Sequence, residues 1–212
     1  IPMTAIIGDK GNGFYSYAYS VYTILLLLSS YSLPLAVSKM VSAKAQLGQW
    51  RNVKRVFICA IAFAIGIGTT FGLIVLIGAQ FFTRVFFHSE LAAIALRFMA
   101  PTILIMALLG VFRGFFQGLQ NTLPTAVSQI VEGLINAIMS VVFAYFLFDF
   151  GHGMDAAGGT TDLGYAWGAA GGAIGTGAGA LAGLIFCFIL FVAYRKILAV
   201  NISRDKTGTQ QE

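Results

Sequence analysis

The stretch that decides the fold is VFICAIAFAIGIGTTFGLIVLIGAQFF, residues 56–82, which contains no charged side chain. At about 1.5 Å per residue, a helix of that length crosses a hydrocarbon core roughly 30 Å thick. A membrane strand would alternate polar and apolar positions, and this run is apolar all round. Working outward, four further segments read the same way: residues 14–37, broken by Ser29, Ser30 and Pro34; 91–115, carrying Arg97; 124–148, carrying Glu132; and 163–194, uncharged and rich in glycine. The prediction is an all-α, polytopic transmembrane helical bundle. Composition agrees. Only 10% of residues are charged and 58% are hydrophobic, against about a quarter charged in a soluble domain, and the mean hydropathy is +0.85. A soluble enzyme, a disordered region and a disulfide-rich secreted module are excluded. Cys59 and Cys187 fall inside apolar runs and read as small buried hydrophobes.

The basic residues set orientation. Lys39, Lys44, Arg51, Lys54, Arg55, Arg113, Arg195, Lys196, Arg204 and Lys206 fall on one side when the spans alternate, leaving Lys10, Arg84 and Arg97 on or toward the other. Basic loops stay in the cytoplasm. The net charge of +5 is thus used at the membrane, and nucleic acid is not an expected partner. The opening residues 1–7 are apolar but too short to span a bilayer, so they read as the outer end of a first helix whose beginning has been cut away. The polar residues 197–212 read as a cytoplasmic linker toward a missing second lobe. Residues 1–196 would then be one transmembrane lobe of five full helices plus the end of a truncated one. Residues 151–164 are expected to form a flexible outer loop. Residues 40–53 are expected either as an amphipathic surface helix or as a plain basic loop.

Polar groups inside the spans carry the functional reading. Thr125, Gln129, Glu132, Asn136 and Ser140 are spaced by four, three, four and four, which places them on one stripe of a helix. Glu132 would lie roughly 12 Å into the membrane, where a carboxylate needs water, a partner or a cation. A hydrated cavity is the favoured reading, and a hydrogen bond to a neighbouring helix is the alternative. Arg97 either snorkels to the outer headgroups or faces the cavity. Arg113 and the nearby Gln117 lie at the cytoplasmic end, as cavity-lining groups or as an interfacial anchor. Pro34 and Pro101 are candidate hinges. Tyr15, Tyr19 and Tyr22 form a stripe that reads as an interfacial aromatic belt. Gly171, Gly175, Gly179 and Gly183 recur every four residues and predict close helix packing. A formal dinucleotide fingerprint at residues 175–180 is dismissed, because it lies mid-membrane without a strand before it. No metal cluster, nucleophile–base set or phosphate loop is evident, so no enzyme chemistry and no cofactor are expected.

Three stretches resemble a known family: Leu33-Pro34-Leu35-Ala36-Val37-Ser38-Lys39 with the basic segment after it, RGFFQGLQNTLPTAVSQ at residues 113–129, and Gly8-Asp9-Lys10-Gly11 with Phe14-Tyr15. They are similar to the polysaccharide-biosynthesis membrane proteins of the stage V sporulation protein B kind. These belong to the multidrug/oligosaccharidyl-lipid/polysaccharide superfamily, which also contains the lipid II flippase. The resemblance implies the first lobe of a two-lobe transporter in the bacterial cytoplasmic membrane. Such a transporter would move an undecaprenyl-linked saccharide by alternating access, for cell-wall, spore-cortex or polysaccharide synthesis. Its partners would be the lipid-linked oligosaccharide, membrane lipids and the missing C-terminal lobe. Arg97, Gln129, Asn136 and Ser140 would suit a phosphate-linked sugar, and Glu132 a coupling Na+ or H+. The alternatives are a cation-coupled multidrug exporter, with Glu132 against the drug, and a membrane assembly partner without transport of its own.

Overall fold

The computed structural model describes residues 2–30, 32–158 and 162–205. Among the described residues, six helices follow one another: α1 (Pro2–Ser30), α2 (Leu33–Gln46), α3 (Trp50–Phe87), α4 (Ala92–Gly118), α5 (Leu123–Gly158) and α6 (Leu163–Arg204). No strand occurs among the described residues. Five stretches of the described residues are long and apolar enough to cross a membrane, with α1 and α2 counting together as one. The protein is a multi-pass membrane protein.

Several boundaries differ from expectation, each for a local reason. The first span divides in two at the serines. α1 ends at Ser30 and α2 starts at Leu33 with Pro34 in its first turn, where a missing N–H leaves no helical bond unmade. Residues 40–53 form no single surface helix. α2 ends at Gln46, Gly48 turns the chain at φ 69°, and α3 begins at Trp50. The expected outer loop at 151–164 is largely helical, because α5 continues to Gly158; residues 159–161, including Thr160, lie outside the described residues. α6 likewise runs past residue 196 to Arg204, and residues 206–212 lie outside the description. Residues before Gly8 are helical and join the rest of α1 through a kink, with Gly8 at φ 62°, ψ −174°. That conformation is open essentially to glycine alone.

α4 is the central helix, and its residues are buried along most of its length. At one end of the bundle Phe57, Phe115 and Phe191 join α3, α4 and α6, with ring centroids 4.6–5.5 Å apart. The other half is filled by small residues such as Ala18, Ala79, Ala95 and Ala173 around Leu96, Met99 and Ile103. Tyr22 belongs to this core at 2% exposure, and Tyr15 shares a hydrogen bond with Thr176 of α6. Only Tyr19 of the tyrosine stripe is well exposed, at 44%, so burial overrides the interfacial-belt reading for the other two. Cys187 is buried as expected, whereas Cys59 is exposed on α3.

Two glycine ladders set the helix spacings. Along α6, Gly171 lies against Ala144 and Gly175 against Ser140 of α5. A methyl group at Gly179 would sit 2.6 Å from the Glu132 carbonyl oxygen. The fit at Gly183 is looser, where an added methyl group would stand 3.4 Å from Leu109 and from the Ser128 carbonyl oxygen. The second ladder is on α4. Added Cβ atoms at Gly114 and Gly118 would meet α2 backbone at 2.5 and 2.8 Å, and Gly110 faces Pro34. Backbones approach this closely only where side chains are absent. The second ladder seats the α1–α2 break directly on α4.

Candidate functional site

The polar groups gather where α4 and α5 turn into one another. Residues 119–122 link the two helices, so the last turns of α4 and the first turns of α5 lie at similar depth. Arg113 sits about 8 Å before the end of α4 and Glu132 about 14 Å beyond the start of α5, at 1.5 Å per residue. The long arginine side chain closes that gap. Its Nη2 donates to Glu132 Oε2 at 2.6 Å, and its Nε donates to Ser128 Oγ at 2.9 Å. The Ser128 hydroxyl in turn donates to the Thr125 carbonyl at 2.8 Å. The ion pair is largely enclosed, with the arginine side chain 11% exposed and the glutamate 24%. A charge-assisted bond of this length, shielded from bulk water, fixes the guanidinium plane.

Beside this pair lies a cavity of about 260 Å³. Its polar lining is Arg113, Gln117, Thr125 and Gln129, and Leu26, Pro34 and Met106 supply apolar walls. Thr125 is 8% exposed, and its hydroxyl is buried without a hydrogen-bond partner. Farther along α5, a second cavity of about 250 Å³ is lined by Tyr15, Gly133, Asn136, Ala137 and Ser140, among others. There the Ser140 hydroxyl donates to Asn136 Oδ1 at 2.8 Å.

The α5 stripe is therefore divided. Thr125 and Gln129 line the first cavity, Asn136 and Ser140 line the second, and Glu132 turns to Arg113. Pro34 stands at the helix break and in the wall of the first cavity. Pro101 lies on an uninterrupted stretch of α4. Arg97 is exposed and lines neither cavity, so the structure does not bring it together with Arg113. Sequence reasoning missed two contributors. Ser128 lies one position off the stripe yet holds the guanidinium. Gly110, Gly114 and Gly118 repeat every four residues, but bulky phenylalanines between them hide the repeat.

The sequence pattern of polysaccharide biosynthesis proteins matches residues 1–207. The chain belongs to that family. Within the polysaccharide biosynthesis family, it is 25% identical over 214 residues to stage V sporulation protein B of Bacillus subtilis, covering 99% of the chain and 38% of that protein. It is 27% identical over 146 residues to the lipid II flippase MurJ of the same organism, covering 65% and 27%. A third relative is the uncharacterized membrane protein YabM of Bacillus subtilis, 26% identical over 158 residues, covering 74% and 29%. The chain thus spans well under half the length of each of these relatives. No solved structure matches it significantly.

Proposed function

We propose that this chain forms one lobe of a transporter that carries a lipid-linked saccharide across the bacterial cytoplasmic membrane by alternating access. The observation that carries the reading is the Arg113–Glu132 pair, held in an otherwise apolar bundle beside two cavities that each take polar side chains from α5. Ionisable groups at membrane depth are costly and mark pathways for polar cargo. A saccharide carries many hydroxyls, and its lipid-phosphate linkage carries negative charge. Gln129, Asn136 and Ser140 offer amides and hydroxyls to the former, and Arg113 offers a guanidinium to the latter. Similarity to the lipid II flippase supports the same cargo class.

The helix break at Pro34 lies in the wall of the first cavity, which suits a hinge that opens and closes it. A second lobe completes the cargo site. Glu132 is the group that would take a coupling cation or proton. A multidrug exporter would present a bare carboxylate to cationic drugs, and Glu132 is instead neutralised by Arg113. The protein acts as a carrier and not as an enzyme.

The test is flipping of a fluorescent lipid-linked saccharide by the intact transporter in proteoliposomes, scored by quenching from outside. Glu132→Leu is expected to reduce the rate at least tenfold while membrane insertion is retained. Wild-type rates in that variant would refute the assignment.

A further inference from the structure

We infer that Asp205 is a positioning residue: its carboxylate straps the end of α6 to the α2–α3 turn and so holds α2, with the Pro34 break at its far end, in place along α4. The consequence for transport rests on the reading above, whereas the strap itself is argued from the helix ends alone. Asp205 follows the last turn of α6 and is buried. Its Oδ2 accepts the backbone N–H of Arg51 at 3.0 Å, across 154 positions of chain.

Arg51 stands in the first turn of α3, where the leading N–H groups of a helix have no partner within it. Such groups are ordinarily capped by the side chain of the residue just before the helix. Gln49 holds that place and makes no cap bond; its side-chain oxygen accepts from Asn52 instead. No acid lies in the first turn of α3, and Arg51, Lys54 and Arg55 crowd its start. Cations at the positive end of a helix are unfavourable there. Asp205 supplies the missing carboxylate from another helix. A short polar side chain at position 49 would cap α3 without help. Taking the cap from the end of α6 adds a connection that the stability of α3 does not require.

The turn passes that connection on to α2. Only residues 47–49 separate the two helices, braced by bonds from Gly48 N to the Ala45 carbonyl, Gln49 N to Lys44 and Trp50 N to Gly48. Leu198 and Ile202 of α6 pack into the same core as Trp50 and Val53, which gives the strap an apolar backing. Along α4, α2 rests on Gly110, Gly114 and Gly118. A glycine surface brings backbones close but offers no side chains to resist sliding of one helix past the other. Beyond Val41 the packing opens, and a cavity of about 240 Å³ takes Ser42, Gln46, Trp50 and Tyr194 into its lining. The last turn of α2 is therefore held by the turn and the strap more than by its own packing. Roughly 20 Å of helix, at 1.5 Å per residue, joins that turn to Pro34 in the wall of the first cavity.

The experiment places spin labels at the exposed Lys39 of α2 and Arg195 of α6 in the intact transporter, with Cys59 and Cys187 replaced. It reads the distance distribution between the labels in nanodiscs, together with amide exchange and with flipping in proteoliposomes. Asp205→Ala is expected to broaden the distribution and to slow flipping several-fold. Exchange of the Arg51 amide should quicken about fivefold, the effect of losing one helix cap. Adding Gln49→Asp to that variant supplies a cap from beside α3 and separates the two roles. Exchange should then return to the wild-type rate, while the broad distribution and the slow flipping persist. Recovery of all three readings would make Asp205 a helix cap and nothing more. That recovery, or an unchanged distribution or unchanged flipping in Asp205→Ala, overturns the inference. Any of these beside an inactive Glu132→Leu would sink the strap and leave the transport reading standing. Wild-type flipping in Glu132→Leu would sink the transport reading, and the distance distribution would still decide the strap, because it needs no cargo.

Discussion

Replacing Arg113 with leucine is expected to destabilise the protein by about 3 kcal/mol or more, because Glu132 is left charged and unpaired inside the bundle. The double replacement Arg113→Leu with Glu132→Leu should recover most of that loss. Removing both members of an enclosed ion pair costs little once apolar side chains fill the space, and removing one strands the other. Ser128 loses its donor in the same single variant, which adds to the effect. Unfolding in detergent, followed for wild type, both single variants and the double, gives the coupling directly. Equal stability of the Arg113→Leu single and the double variant would mean that water already satisfies Glu132, and that the pair is incidental.

An effect of comparable size is expected at Gly175. Its Cα faces the Ser140 backbone and hydroxyl so closely that no side chain fits without separating α5 from α6. Gly175→Leu should therefore cost about 3 kcal/mol, the upper part of the range for overpacking, since the obstacle is backbone and not a movable side chain. The displaced α5 would carry Asn136 and Ser140 with it and enlarge the second cavity. The loss should appear both in the unfolding temperature and in slower flipping by the intact transporter. Gly183→Ala serves as the control, because its neighbours stand at ordinary contact distance. If Gly175→Leu were as mild as that control, the close α5–α6 seam would be wrong.

The bundle was legible because each span is a long uncharged run, and length alone separates a membrane helix from a strand. The α6 ladder was legible for a similar reason: glycine every four residues has one strong physical reading. Boundaries were less so. Residues 151–164 read as a loop, yet α5 continues to Gly158. Composition marks where a chain leaves hydrocarbon, not where its helix stops. Within the site, the polar stripe on α5 was readable from spacing, since one helix fixes its own periodicity. That Arg113 would reach Glu132, and that Arg97 would not join them, depends on the depth and rotation of α4 against α5. Spacing within one helix carries no such information. The unsatisfied hydroxyl of Thr125 is likewise invisible until its neighbours are placed.

The most direct test of a polar pathway along α5 is cysteine scanning of that helix in membranes, with Cys59 and Cys187 replaced, using a charged, membrane-impermeant thiol reagent from each side. Gln129, Gly133, Asn136 and Ala137 face the two cavities. Ile130, Leu134 and Ile138 are well exposed at 68%, 60% and 52% but lie on the apolar face of the same helix. Reaction at the first four positions, with none at the other three, is the predicted result. Equal reactivity on both faces, or reaction confined to the Ile130–Leu134–Ile138 face, would contradict a polar pathway along α5.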